Sequence, residues 1–363
     1  MNRICRKAPR ISAAVLLLTF SFLPFHQKGQ QQEKVSQQVH YPQEKHLANV
    51  RQLTFGGDNA EAYFSPDNSM LVFQATNKEW KAECDQIFYS RVDSFVPKRI
   101  SNNMGRTTCS YFLPGNQSLV YASTYSGGIN CPPKPEPRAD HKYVWPVYSS
   151  FDIYVCDLEG NIFGNLTDTA GYDAEATVSP KGDKIVFTSM RSGDLELYTM
   201  NIDGSQVKQI TNKLGYDGGA FFSPDGSRLV FRASRPKTPE EVKTYKDLLK
   251  EGLVMPTNME LFTCKADGSD MRQLTRLGGA NWAPFFSPDG KKVIFSSNHK
   301  TKGYHFNLWM IKTDGTGLEQ ITFDPTFDAF PVFSPNGKQL VFSSNRNNNG
   351  THDTNLFIAD WKE

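Results

Sequence analysis

Six copies of one short pattern run through this chain, and nothing else in it narrows the possible folds as far. The copies align without gaps on a Phe-Ser-Pro-Asp-Gly core anchored at Ser65, Leu113, Ser179, Ser223, Ser287 and Ser334. One residue after each anchor stands a proline, and three after it stands Asn68, Asn116, Gly182, Gly226, Gly290 or Gly337. Proline fixes φ at the first turn position, and Gly and Asn best tolerate positive φ, so each copy carries a tight hairpin. Eight after the anchor comes an aromatic, Phe73, Tyr121, Phe187, Phe231, Phe295 or Phe342, closing an alternating strand. A third strand follows on an aliphatic and aromatic pair such as Ile87-Phe88, Leu197-Tyr198 or Leu356-Phe357, and a fourth ends in Gln-Leu-Thr or a variant. Successive anchors keep the roughly 40 to 50 residue spacing of propeller repeats, apart from two intervals stretched by insertions at 124–150 and 236–257.

The expected fold is therefore all-β: a six-bladed β-propeller of four-stranded blades over residues 47–363. The phase of the ends bears on closure. The last copy stops after its third strand, while Asn49-Val-Arg-Gln-Leu-Thr54 supplies a fourth-strand sequence before the first copy. The N-terminal strand is expected to complete the last blade, leaving no open ring edge.

Ahead of the repeats, Arg3, Arg6, Lys7 and Arg10 precede an apolar run from Ile11 to Phe25, the order of a secretory signal. Residues 1–28 are read as a signal peptide or N-terminal anchor and 29–46, rich in Gln and Lys, as a flexible tether. The protein is thus expected to be exported, to the periplasm or cell envelope. The net charge of +2, from 40 basic and 38 acidic residues, lacks the polyelectrolyte bias of nucleic-acid binding. No nucleic-acid partner is expected, nor membrane contact beyond the possible anchor, and the chain is expected to be a monomer.

The repeat, especially Phe222-Ser-Pro-Asp-Gly226 with its flanking Gln-Ile/Leu-Thr strands, resembles the propeller of TolB and related exported proteins. The likeness covers nearly everything after residue 48. It implies a non-catalytic scaffold whose rim recognises a protein or peptide partner in the envelope. Related propellers precede the catalytic domain of prolyl-oligopeptidase-like enzymes, but no Gly-x-Ser-x-Gly elbow is present here.

Candidate site residues fall on one rim, where first strands begin and second strands end. Six before each anchor are Asn59, Thr107, Asp173, Asp217, Asn281 and Asp328; twelve after it are Asn77, Tyr125, Arg191, Arg235, His299 and Arg346. The plainer expectation is that these acids and arginines staple neighbouring blades. The sharper one is a ligand site at the channel mouth. Strand alternation predicts that the residues four before the anchor, Glu61, Cys109, Glu175, Gly219, Ala283 and Phe330, point the same way as those six before. With Asp173, Asp217 and Asp328 they form a wall that could hold a cation or basic peptide on the blade 3 and 4 side, solvated carboxylates lining a wet pore being the commoner case. Arg106 and, in the first insertion, Trp145 complete the ligand-binding set.

Both insertions join this rim, where function tends to reside. The second reads as a helix from Pro239 to Glu251 with Val242, Tyr245, Leu248 and Leu249 on one stripe, either packed on the rim or free to dock a partner. Among Cys84, Cys109 and Cys131, one bridge pinning the proline-rich loop is expected, the pair being open. Cys156 and Cys264 read as buried apolar residues. No His-Glu-x-x-His, Cys-x-x-Cys pair or phosphate-cradling Gly-x-x-x-x-Gly-Lys is present, so no cofactor, metal or catalytic residue is assigned. The remaining enzyme alternative is a carbohydrate lyase or hydrolase using Asp, Arg and His groups of the same rim.

Overall fold

The computed structural model describes residues 39–301 and 303–363. The leader expected over 1–28, and the first part of the 29–46 tether, lie outside them. Six four-stranded antiparallel sheets make six blades. The first comprises Asp58–Phe64, Met70–Asn77, Ala82–Arg91 and Lys98–Arg99, and the next four repeat that order. The sixth has Asp328–Phe333, Gln339–Ser344 and Asn355–Trp361, and its outermost strand is Leu47–Gln52, with Leu47 opposite Trp361 and Gln52 opposite Phe357.

The repeat residues build each blade through three devices. At the hairpin, the anchor serine accepts from the backbone N–H five residues on, as Ser223 does from Arg228 at 2.9 Å, and donates to the acid two later, as to Asp225 at 2.5 Å. The turn glycine is left-handed, with φ +73° at Gly226, a conformation that strains other residues. In the blade body, the second-strand aromatic sits opposite the third-strand aromatic in every copy, from Phe73 with Phe88 to Phe342 with Phe357. Such cross-strand aromatic pairs stabilise a sheet beyond simple burial. At the outer edge, the final Ser or Thr of the fourth strand accepts from a third-strand backbone N–H: Ser101 from Ile87, Thr167 from Ile153, Thr211 from Leu197, Thr275 from Leu261, Thr322 from Leu308 and Thr54 from Leu356.

One feature of every first strand contradicts simple alternation. The register slips between the residues five and two before the anchor, and the residue four before is left-handed in all six blades, including Glu61 at φ +53°, Cys109 at +45° and Phe330 at +54°. A bulge of this kind bends the strand and re-aims its side chains.

The two insertions meet. Trp145–Pro146 pairs antiparallel with Leu253–Val254, forming a small cap. The helix, Pro239–Lys250, starts at a Thr238/Glu241 capping box, and Gly252 past its end has φ +69°. Tyr245 and Leu248 of the expected stripe are buried, and Tyr245 donates to Asp194 of blade 3 at 2.5 Å, so the stripe packs on the rim. A disulfide joins Cys84 to Cys131, tying the first insertion to blade 1, while Cys109, Cys156 and Cys264 are free and buried. Of the expected tether, Glu44 is buried against Arg346 of the sixth blade, while His40, Pro42, Gln43 and Lys45 are exposed.

Candidate functional site

The rim carries two acid and arginine systems, and the bulge separates them. Asp173, Asp217, Asn281 and Asp328, six before their anchors, are buried inside the blades. Arg191 reaches Asp173 at 3.0 Å, Arg235 reaches Asp217 at 3.0 Å, and Arg346 reaches Asp328 at 3.0 Å. Each pair joins the first and second strands of one blade. The staple expected between neighbouring blades is thus a clamp within a blade, because both positions flank the same hairpin-linked pair of strands.

The arginines do a second job. Arg191 lies over Phe187 and Tyr198, Arg235 over Phe262, and Arg346 over Phe342 and Phe357, at 5.0 to 5.8 Å. They roof the aromatic pairs with cation–π contacts. His299 takes this place in blade 5, 4.3 Å from Trp309, with Nδ1 held by Ser297. Burial pushes Asp217 and Asp328 above the ordinary carboxylate range, with Arg235 and Arg346 opposing it. Against Asp217 lies Glu196 of the preceding blade, which burial raises further, Asp217 and Asp194 adding to the effect. Among the described residues, no three His, Cys, Asp or Glu side chains group into a metal-holding cluster.

The residues four before the anchor behave differently. Glu61, Cys109, Glu175, Gly219, Ala283 and Phe330 all border a cavity of about 440 Å³ at the capped mouth. Alternation predicted that both rings would face the channel together, but the bulge turns the inner one alone towards it; of the outer ring only Asn59 borders the cavity. Of the sequence-assigned ligand residues, Glu61, Glu175, Arg106 and Trp145 line it, whereas Asp173, Asp217, Asn281, Asp328, Arg191, Arg235 and Arg346 do not.

Glu175 is fully engaged. It pairs with Arg232 and accepts from Thr188 at 2.6 Å, Tyr216 at 2.6 Å and the Gly219 backbone at 2.8 Å. Burial works to raise its pKa, but Arg232 and these hydrogen bonds outweigh it and leave the carboxyl below its ordinary value. Arg232 lies between Trp145 of the cap, 5.5 Å away, and Tyr216 at 5.0 Å. A Cβ on Gly219 would collide with its guanidinium, so blade 4 omits its ring side chain to admit this arginine. Towards blades 1 and 2, Arg106 holds Asp85 at 2.5 Å.

Arg232 was not singled out in the sequence, yet a signal existed. Nine after the anchors stand Gln74, Ala122, Thr188, Arg232, Ser296 and Ser343, and only one is charged. Gln74 accepts from the Cys109 backbone at 3.0 Å and Ser296 from the Phe330 backbone at 3.0 Å, so this register supports the next blade's bulge. The aromatic lining from Trp282, Tyr304, Phe306 and Phe327 was also missed: Tyr304, Phe306 and Phe327 come from connections between strands, and Trp282 from a first-strand position that is not aromatic in the other copies.

Comparison with known proteins agrees with this architecture. A family model described as the TolB beta propeller domain matches residues 147–250. A protein assigned as TolB from Agrobacterium tumefaciens superposes with TM-score 0.55 at 16% identity, over 86% of this chain and 97% of that one. TolB from Acinetobacter baumannii gives TM-score 0.53 at 19% identity over 85% of this chain, which spans 65% of that protein's length. A gluconolactonase from Xanthomonas campestris gives TM-score 0.58 at 14% identity, over 87% of this chain and 91% of that one. No curated protein matches the sequence. The chain is a six-bladed propeller similar in fold to TolB, and these likenesses show its fold.

Proposed function

We propose that this TolB-like propeller is an exported, non-catalytic binding module that receives a peptide or protein segment in its capped mouth. The observation that carries the reading is the make-up of that mouth. The rim acids and arginines are occupied in clamps, while the cap brings Trp145 to within 5.1 Å of Trp282 and Tyr143 to within 5.4 Å of Tyr304. Aromatic walls around charged groups that are mostly paired with one another suit the anchoring of a segment by its side chains. Export is supported by the leader-like residues 3–25 and by the Cys84–Cys131 bridge, which needs an oxidising compartment.

A second reading, carbohydrate chemistry, draws on one observation: Glu61 and Glu175 share the ring while their environments push their pKa values in opposite directions, as in acid and base pairs. Against it, every strong donor around Glu175 is already committed to holding it still. The test is affinity capture from envelope extract on the full chain, with a glycan panel incubated in parallel. Recovery of one specific protein, lost with Trp145→Ala and without glycan turnover, supports docking. Turnover of any glycan that Glu175→Gln abolishes would overturn it in favour of the enzyme.

A further inference from the structure

The inner ring is uneven in charge. Four carboxylates line the cavity, Asp58, Glu61, Asp85 and Glu175, against two guanidiniums, Arg106 and Arg232. Asp85 has Arg106 and Glu175 has Arg232. Glu61 receives only the Cys109 thiol at 2.9 Å and the Tyr63 hydroxyl at 3.3 Å, both on Oε2. Among the described residues nothing donates to its Oε1, and no cationic side chain forms an ion pair with it.

A carboxylate left without a counter-charge in a partly dry cavity is costly to ionise. Burial pushes Glu61 above its ordinary value and Glu175 adds to this, while Cys109, Arg232 and Tyr63 oppose it. The left-handed backbone at Glu61 is strained for a residue with a side chain, and it is the bulge that turns this carboxyl into the mouth. The space before it is open. Ala283, in blade 5, leaves room on the ring, the place that Gly219 leaves being taken by the Arg232 guanidinium, and Tyr63, Phe221, Trp282 and Phe330 give the cavity aromatic walls.

We propose that this cavity receives an organic monocation, an alkylammonium or guanidinium carried on a basic side chain of the docking segment, with Glu61 as its counter-ion and the aromatic walls as its cage. The proposal rests on the docking reading and names the chemistry of the segment. Aromatic faces and one carboxylate are the combination that binds such cations. A hydrated divalent metal would ask for several oxygens at fixed geometry, where this wall offers one carboxyl among a thiol, a phenol and rings. Binding a cation favours the ionised form of Glu61, so affinity rises with pH through its raised pKa and a proton is released. Asp58, also on the cavity lining, is raised as well, by burial and by Asp85, and the Glu61→Gln variant separates its titration from that of Glu61; the groups in contact with Glu61 do not titrate over that range. Tyr63 and Cys109 are pushed well above their ordinary values, mainly by burial, and Glu175 stays ionised against Arg232.

The test is calorimetric titration of the full chain with N-acetyl-lysine methylamide and its neutral analogue N-acetyl-norleucine methylamide, from pH 5 to pH 8. The lysine probe is expected to bind roughly tenfold more tightly at pH 8, with the advantage shrinking as pH falls. Glu61→Gln, isosteric and neutral, should erase that advantage while near-ultraviolet circular dichroism stays unchanged. Ala283→Phe, mimicking blade 6, should block both probes by filling the space. Equal binding of the two probes, or a lysine advantage that survives Glu61→Gln, overturns the proposal. A captured envelope protein that binds Glu61→Gln normally would likewise overturn the cation while leaving docking intact. Lysine selectivity with no captured partner would uphold the cation site and count against docking.

Discussion

Arg346 and Arg232 are both buried arginines paired with carboxylates, yet they stand in opposite relation to the repeat. Arg346 holds Asp328 of its own blade and Glu44 of the segment before the first strand, with all three side chains wholly shielded from solvent. Its counterparts Arg191 and Arg235 do the same work in blades 3 and 4. Arg232 has no counterpart: it crosses from blade 4 to Glu175 of blade 3 and borders the cavity. A charge that recurs in register with the repeat serves the architecture, and one that breaks the register marks the site.

This contrast can be broken by experiment. Arg346→Ala leaves two carboxyls buried without their partner and should cost about 3–5 kcal/mol, read as a lower urea midpoint at unchanged slope, with capture unaffected at low temperature. Arg232→Ala should cost less, about 1–3 kcal/mol, because the cavity lets water reach Glu175, and it should abolish capture. The contrast fails if Arg232→Ala destabilises more than Arg346→Ala. Trp145→Ala removes one face of the Arg232 sandwich, worth about 0.5–2 kcal/mol, and should lose capture with little change in melting temperature.

A dependence on pH sharpens the architectural side. Glu196 is pushed up to about 8, mainly by burial, with Asp217 and Asp194 nearby. A carboxyl whose folded pKa lies above its unfolded one binds protons more tightly when folded, so stability should decline as pH rises from about 4.5 towards 8. Glu196→Gln should flatten that decline, with near-equal melting temperatures at pH 5 and a higher one for the variant at pH 9. An unchanged slope would show that the Glu196 and Asp217 pair does not titrate in this way.

The architecture was legible because its signals are redundant: Pro66, Pro114 and their equivalents, the turn Gly or Asn, and the paired aromatics all report the same register six times. The site was half legible. Glu61, Glu175, Arg106 and Trp145 were singled out, but Asp173, Asp217 and Asp328 were placed beside them on the assumption of unbroken alternation. The bulge that separates the two rings is carried by Glu61, Cys109, Ala283 and Phe330 as readily as by Gly219, so no residue type announces it. The cap was hidden for another reason. Two-residue strands such as Leu253–Val254 carry no periodicity, and their pairing with Trp145–Pro146 depends on where the blades have already placed them. Cys109 shares the rim with Cys84 and Cys131, yet the inner strand points its thiol at Glu61 instead.

The pairing of Leu47–Gln52 with Asn355–Trp361 has a consequence for how the molecule comes into being. The bond from Leu356 to Thr54 spans 302 positions, so the Leu47–Gln52 strand must wait until all six repeats are made before its neighbour exists. Contacts between such distant parts are slow to form, and meanwhile the first strand's partner edge is missing. Such a chain gains from being kept extended until its tail is available, a requirement that passage across a membrane in threaded form would meet.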